Sequence, residues 1–268
     1  MKCWLAIILA MSLCLPMAAC AVNQPVEEEP PVEENTDTPA YNFVTETTSD
    51  KYSDEEGNLM ASYSYQVIRM KTAENAPEEV VKMAEVLNEG MDALLEECLA
   101  MGNELGDWAA YDENIRESGA YYTDELTVSW EIVGSILSIS YDRYSFTGGS
   151  HSNVDYSSYL FDLERGNFLD PTELADDPEL LRATVTDLLL DQIAGEGLEE
   201  MYFEGYVSTV SQWNSYCVRL SETEMTVVFS PYVLGAYALG EQTFTISYDE
   251  MMEALGEGGR AKLGLSDT

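Results

Sequence analysis

Histidine and positive charge are both scarce in this chain, and their scarcity removes whole classes of chemistry. His151 is the single histidine among 268 residues. Any Ser-His-acid or Cys-His device must therefore use it, and a zinc site built on several histidines is impossible. No G-x-S-x-G, H-E-x-x-H or phosphate-loop pattern occurs. Only 12 Lys and Arg stand against 50 Asp and Glu, giving a formal net charge of -38. Nucleic acid and anionic lipid headgroups are held by Lys and Arg, so neither fits as a partner. Such a field attracts basic proteins, basic peptides or divalent cations, with a strength that salt weakens. Solubility, or a salty habitat, is the other reading of the same charge. Long apolar runs are missing beyond residue 19, as are internal repeats.

What is present supports a folded, exported protein. Hydrophobic content of 46% is ample for a core despite the acidity. Lys2, an apolar run, Pro16 and small residues before Cys20 follow the order of a secretory signal. The run over residues 3–19 is short for a bilayer span of about 20, and no positive cluster follows it. Met17-Ala18-Ala19-Cys20 resembles a bacterial lipoprotein signal, which implies removal of residues 1–19 and a lipid on Cys20. The protein would then sit on the outer face of the cytoplasmic membrane, touching it only through that anchor. Ordinary secretion, with Cys20 incidental, is the alternative. Losing Lys2 with the signal moves the net charge from -38 to -39. Residues 20–40, rich in Pro, Glu and Thr, cannot bury enough surface to order themselves and read as an extended tether.

Two cysteines then remain in the folded part, Cys98 and Cys217. Cys98 falls on an apolar helical stripe and Cys217 in an alternating strand, so the pattern argues against a bridge between them although export permits one.

Periodicity gives an α+β protein. A strand is expected over residues 63–70, then a helix opened by Ala76-Pro77-Glu78-Glu79. Val80, Ala84, Leu87, Met91, Leu94, Cys98 and Met101 form its apolar stripe, and Gly102 marks its expected end. Two strands joined at Gly134-Ser135 read as a hairpin, and a further strand spans about 154–162. Asp170-Pro171 and Asp177-Pro178 open a short and a longer helix. Cys217 and its neighbours, Met225 to Phe229 and Phe244 to Tyr248 alternate as strands, and a short helix over 249–255 closes the fold. Antiparallel sheets packed against a long N-terminal amphipathic helix and a second helical segment are expected.

Calcium is tested at the acidic run 50–58 and fails in register. Counted from Asp54, Leu59 and Tyr65 occupy the positions that need glycine and glutamate. Neither a metal nor a cofactor is expected. Paired acids for glycoside hydrolysis carry no information where 50 acidic residues make some close pair inevitable. The loop over 147–153 is the best candidate for something specific. Gly148 and Gly149 permit unusual backbone conformations, and His151 offers a planar donor and acceptor at the tip. A tight crossover with His151 bonded to neighbouring backbone is the plain alternative. Tyr141, Tyr144, Phe146, Tyr156 and Tyr159 make the area aromatic, with about half expected to face the core.

Tyr144-Ser145-Phe146-Thr147-Gly148-Gly149-Ser150-His151 resembles the Tyr-Thr-Gly-Gly-Ala-His segment of the extracellular domain of RsiV-type anti-sigma factors. The likeness continues through Phe161-Asp162-Leu163-Glu164-Arg165-Gly166, Val228-Phe229-Ser230-Pro231-Tyr232, Ala236-Tyr237-Ala238-Leu239-Gly240 and Phe244-Thr245-Ile246-Ser247-Tyr248. From about residue 41 the chain is similar to the companion N-terminal module that also precedes the catalytic domain of PdaC-type peptidoglycan deacetylases. The organisation that follows is a signal peptide (1–19), a tether (20–40), an N-terminal α+β module (41–145), an RsiV-like module (146–258) and a tail (259–268). The resemblance implies a non-enzymatic binding module for lysozyme or a similar basic, cell-wall-directed protein, as sensor, decoy or inhibitor. A module for peptidoglycan or another glycan is the alternative. The cytoplasmic sigma-binding segment and the deacetylase domain of those families have no counterpart here. The residues expected to meet a partner are Gly148, Gly149, His151 and Asn153, with Tyr144 and Tyr237 as aromatic contacts.

Overall fold

The computed structural model describes residues 40–197 and 199–265. The signal peptide, Cys20 and all but the last residue of the tether lie outside them. Two long antiparallel strands come first, β1 (Tyr41–Ser53) and β2 (Leu59–Thr72). Sequence periodicity passes over β1 because none of its residues is fully buried, so no apolar alternation marks it. The acidic run between the strands is a turn. The Asp54 carboxylate accepts from the backbone N–H of Glu56 at 2.9 Å and of Asn58 at 2.8 Å, and from the Asn58 side-chain amide at 2.8 Å. That carboxylate shapes the chain locally.

Helix α1 (Glu78–Tyr111) is 34 residues long and passes straight through Gly102. A Cβ at Gly102 would lie 2.7 Å from the Tyr65 hydroxyl and 2.8 Å from the Tyr63 ring. The glycine is there to let the helix approach two sheet tyrosines, and it does not end the helix. The buried stripe continues beyond it through Leu105 and Ala109. Asp112 then leaves helical geometry and caps the short α2 (Glu113–Ser118), its side chain accepting from the Asn114 N–H.

Because α1 carries the chain back across the sheet, β3 (Tyr122–Val133) returns parallel to β2, from Ala61–Tyr122 to Tyr65–Leu126. Strands β4 (Ile136–Phe146), β5 (Asn153–Asp162) and β6 (Asn167–Leu169) follow antiparallel, in the order β1-β2-β3-β4-β5-β6. The main sheet is therefore mixed, where sequence reading expects antiparallel pairing throughout. Residue 146 ends β4, and β5 continues the same sheet beside it.

The rest of the chain supplies a 3₁₀ turn (Pro171–Leu174), α3 (Pro178–Glu196), α4 (Tyr206–Val210), the three-stranded antiparallel sheet β7 (Cys217–Leu220), β8 (Glu224–Phe229) and β9 (Gln242–Ser247), and α5 (Tyr248–Lys262). The class is α+β. Tyr248 opens the last helix and does not extend the strand; the helix continues past Leu255 to Lys262, broken at Gly256 where φ is 68°. Two buried clusters result. One lies under α1, with Tyr65, Leu87, Met91, Leu105, Tyr141 and Phe161. The other joins α3, α5 and the small sheet to Val133, Ile136 and Leu160 of the main sheet. Serine hydroxyls tie β7 to the main sheet: Ser138 accepts from the Leu220 N–H at 3.0 Å and Ser158 from the Val218 N–H at 2.8 Å. These bonds satisfy strand-edge donors that no neighbouring strand reaches.

A charged group lies inside the first cluster. Asp124 is wholly buried. Arg143 clasps it with both arms, Nε to Oδ1 at 2.9 Å and Nη2 to Oδ2 at 2.5 Å, and the Tyr65 hydroxyl donates to Oδ2 at 2.9 Å. Burial of this kind is tolerated because the carboxylate is fully paired. Cys98 and Cys217 are both buried free thiols, and burial raises the pKa of each.

Candidate functional site

The β4–β5 connection holds the expected loop. Strand β4 runs out at Phe146 and β5 begins at Asn153, which lies opposite Ser145. Gly148 and Gly149 both take left-handed backbone, with φ of 88° and 94°. Gly148 is also close-packed: a Cβ there would sit 3.4 Å from the Asp112 carboxylate and from the Tyr122 hydroxyl. Those two groups are joined by a 2.9 Å bond from the tyrosine, which holds the Asp112 carboxyl below its usual range. The loop is thus seated on α2 and β3 at Gly148, while nothing lies within 4 Å of a Cβ at Gly149.

His151 is exposed and aromatic rings surround it. Its ring stacks on Tyr237 at 3.9 Å between centroids with 13° between planes, and Tyr232 lies 6.3 Å away, tilted. His151 Nδ1 is 3.0 Å from the Ser152 carbonyl and Nε2 is 3.4 Å from the Tyr232 hydroxyl. A carbonyl only accepts, so Nδ1 carries the proton. In the neutral ring, Nε2 then accepts from Tyr232 through a long bond. Tyr232 and Tyr237 are 5.5 Å apart, closing a three-ring platform.

Tyr232 is the residue that sequence reasoning did not single out, and its backbone is unusual. It is the one described non-glycine residue with positive φ, at 70°. Ser230-Pro231-Tyr232-Val233 closes with a Val233 N–H to Ser230 carbonyl bond of 3.1 Å. Proline second and positive φ third is the pattern of a type II turn, whose third position belongs to glycine or asparagine. A tyrosine there costs on the order of 1–2 kcal/mol, and its ring remains 52% exposed. The strain therefore gains little burial for the ring; what it does is hold the ring beside His151.

The segment carrying both tyrosines is clipped from two sides. Tyr156 of β5 donates its backbone N–H to the Ser230 hydroxyl at 2.9 Å and its own hydroxyl to the Glu241 carboxylate. On the far side the Phe203 N–H donates to the Leu234 carbonyl at 2.7 Å, and Tyr202 bridges to Gly235. Of the six expected partner residues, the structure brings His151 and Tyr237 into contact, with Gly148 and Gly149 shaping the loop. Tyr144 stands on β4 opposite Val154, and Asn153 at the start of β5; neither makes a ring or hydrogen-bond contact with the platform. A Ser-Pro pair is a turn signal, but a tyrosine at the turn's glycine position follows no sequence rule.

No family model matches the sequence, and no curated protein does either. Solved structures do match. A DUF3298 family protein from Bacteroides fragilis aligns over 84% of this chain and 97% of its own, with a TM-score of 0.61 at 18% identity. The two share a fold. A DUF3298 family protein from Pseudomonas aeruginosa PAO1 aligns over 82% of this chain and 95% of its own, with a TM-score of 0.47 at 13% identity.

Proposed function

We propose that the chain is a non-enzymatic binding module, held at the outer face of the cytoplasmic membrane by a lipid on Cys20, whose platform of His151, Tyr232 and Tyr237 captures a basic, cell-wall-directed protein such as lysozyme. The observation that carries this reading is the strained backbone of Tyr232, which keeps an exposed ring on the platform at a cost to the fold. Strain persisting at an exposed aromatic cluster marks a surface kept for something other than stability. The charge of -38 supports a basic partner, since it would speed encounter. The resemblance to RsiV-type extracellular domains and to the PdaC-type N-terminal module points the same way. Catalysis is disfavoured by the surroundings of His151: its described hydrogen-bond partners are a carbonyl and a phenol, and no carboxylate orients it as a general base.

The test is titration of residues 21–268 against a basic lysozyme and against a neutral wall glycan, at low and high salt. Lysozyme binding that weakens with salt and falls by about tenfold or more in Tyr237→Ala is expected, as for an aromatic anchor. Binding to the glycan alone would replace the reading with the glycan-module alternative. Turnover of peptidoglycan fragments that vanishes in His151→Ala would replace it with an enzyme.

A further inference from the structure

A cleft of about 390 Å³ opens between β5, the start of the Pro171–Leu174 turn and the segment before β7. Tyr156, Ser157, Ser158, Asp170, Trp213 and Tyr216 line it, with Leu169 and Pro171 supplying apolar surface. Two of its walls hold an anomaly. The Trp213 indole Nε1 and the Tyr216 hydroxyl are both buried and have no hydrogen-bond partner among the described residues. Trp213 is only 5% exposed. Buried donors are almost always paired, and an unpaired one draws a hydrogen-bonding group from outside the chain. Finding two on neighbouring side chains, 6.0 Å apart between ring centroids, in the wall of one cleft is unusual.

The chemistry of the walls selects the guest. The indole N–H can only donate, so the guest must bring an acceptor there, which a bare cation or ammonium group does not have. An anion meets no net positive charge, because Arg182, near enough to act on the Tyr216 hydroxyl, is opposed there by Asp170. Arg219, stacked 5.4 Å over the Tyr156 ring, is paired through Nη2 with Asp142 at 2.5 Å while its buried Nε has no partner among the described residues, and Asp170 stands on the rim. What remains is a neutral molecule with several oxygens and an apolar face, small enough for one ring to enter. We propose that this cleft is a binding site for one ring of an uncharged sugar, whose hydroxyl or amide carbonyl oxygen accepts from the Trp213 indole and the Tyr216 hydroxyl while its C–H face lies on Leu169 and Pro171. The site shares no wall with His151, Tyr232 or Tyr237, although Tyr156 both lines it and clips the platform segment. Trp213 and Tyr216, the residues changed in the test, make no ring or hydrogen-bond contact with the three platform rings.

The experiment follows the Trp213 indole N–H resonance of residues 21–268, assigned by its loss in Trp213→Phe, during titration with tri-N-acetylchitotriose, glucosamine and galacturonate. A saturable shift is expected with the neutral trisaccharide, and weaker effects with the cationic and anionic sugars. Tyr216→Phe should weaken trisaccharide binding by about tenfold, the worth of one buried hydrogen bond. In the absence of sugar the same variant should melt at the same temperature or higher, because it deletes an unpaired buried hydroxyl. Failure of every sugar to shift the resonance overturns the proposal, as does preference for glucosamine. A lower melting temperature for Tyr216→Phe overturns it too, since the hydroxyl would then already be satisfied within the fold.

Discussion

Replacing Tyr232 in two ways separates backbone strain from ring contacts. Tyr232→Ala and Tyr232→Gly both remove the half-exposed ring, so both lose the same contacts to His151 and Tyr237. They differ only in the Cβ, at a position with φ of 70°. Elsewhere in a folded chain, glycine is worse than alanine by about 0.5–1 kcal/mol because it has more freedom to lose. Left-handed geometry reverses that order, since the Cβ costs about 1–2 kcal/mol there. The difference of the two terms leaves Tyr232→Gly more stable than Tyr232→Ala by about 0.5–1 kcal/mol. For a domain of this size that is about 1–4 °C in melting temperature, within reach of calorimetry. Both variants should lose lysozyme binding equally, because both lose the ring. An alanine variant as stable as the glycine variant, or more so, would show that the turn is unstrained and remove the main support for a platform built at a cost.

Two further predictions concern the fold that carries the platform. Arg143→Met leaves the Asp124 carboxylate with only the Tyr65 hydroxyl and should cost about 3–5 kcal/mol in urea melts; adding Asp124→Asn should recover part of that, and a loss below 1 kcal/mol would mean water reaches the site. Glu46 and Glu250 are both held below their ordinary value of 4.5, Glu46 chiefly by its bond from Lys71 and Glu250 by its bond from Ser247. A depressed carboxyl adds stability that is complete above its unfolded pKa and drains as pH falls through the folded one. The gap in melting temperature between wild type and Glu250→Gln should therefore be constant from pH 7 to about 5 and close below about 4.5; a gap that does not change with pH refutes the assignment. Using the difference removes the background relief of charge repulsion as the many other carboxylates protonate.

Sequence periodicity located the elements that bury one clear face. The stripe from Val80 to Met101 lies on α1, the Gly134-Ser135 hairpin joins β3 to β4, and Asp170-Pro171 opens a capped turn as its residues promise. It failed where burial is not periodic. Strand β1 buries nothing completely, so its presence depends on pairing with β2 along its whole length. Gly102 read as a stop because glycine weakens helices, yet the close approach of Tyr63 and Tyr65 outweighs that cost. The parallel β2–β3 pair was illegible for another reason. A helical crossover permits it, but which strand the chain returns to depends on contacts far apart in sequence.

The platform shows the same division. Gly148, Gly149 and His151 could be singled out because glycine pairs and lone histidines have recognisable chemistry, and they share a loop. Tyr237 lies 86 positions beyond His151, and its stacking depends on two long-range clips that no local pattern encodes. Those clips explain how strain at Tyr232 survives. A residue in an unfavourable conformation relaxes unless its neighbours fix it from several directions. Here Tyr156 grips the segment at Ser230 and again at Glu241, while Tyr202 and Phe203 hold Gly235 and Leu234. None of these three hydrogen bonds buries much apolar surface, so their contribution to folding is small beside either core cluster. Their combined effect is geometric: the segment has one position available, and in that position an exposed tyrosine must face the histidine. A fold indifferent to this surface would relax the turn with a glycine at position 232. Keeping a tyrosine there, and three hydrogen bonds to hold it, is the arrangement expected where rigidity of the presented rings lowers the entropy lost on meeting a partner.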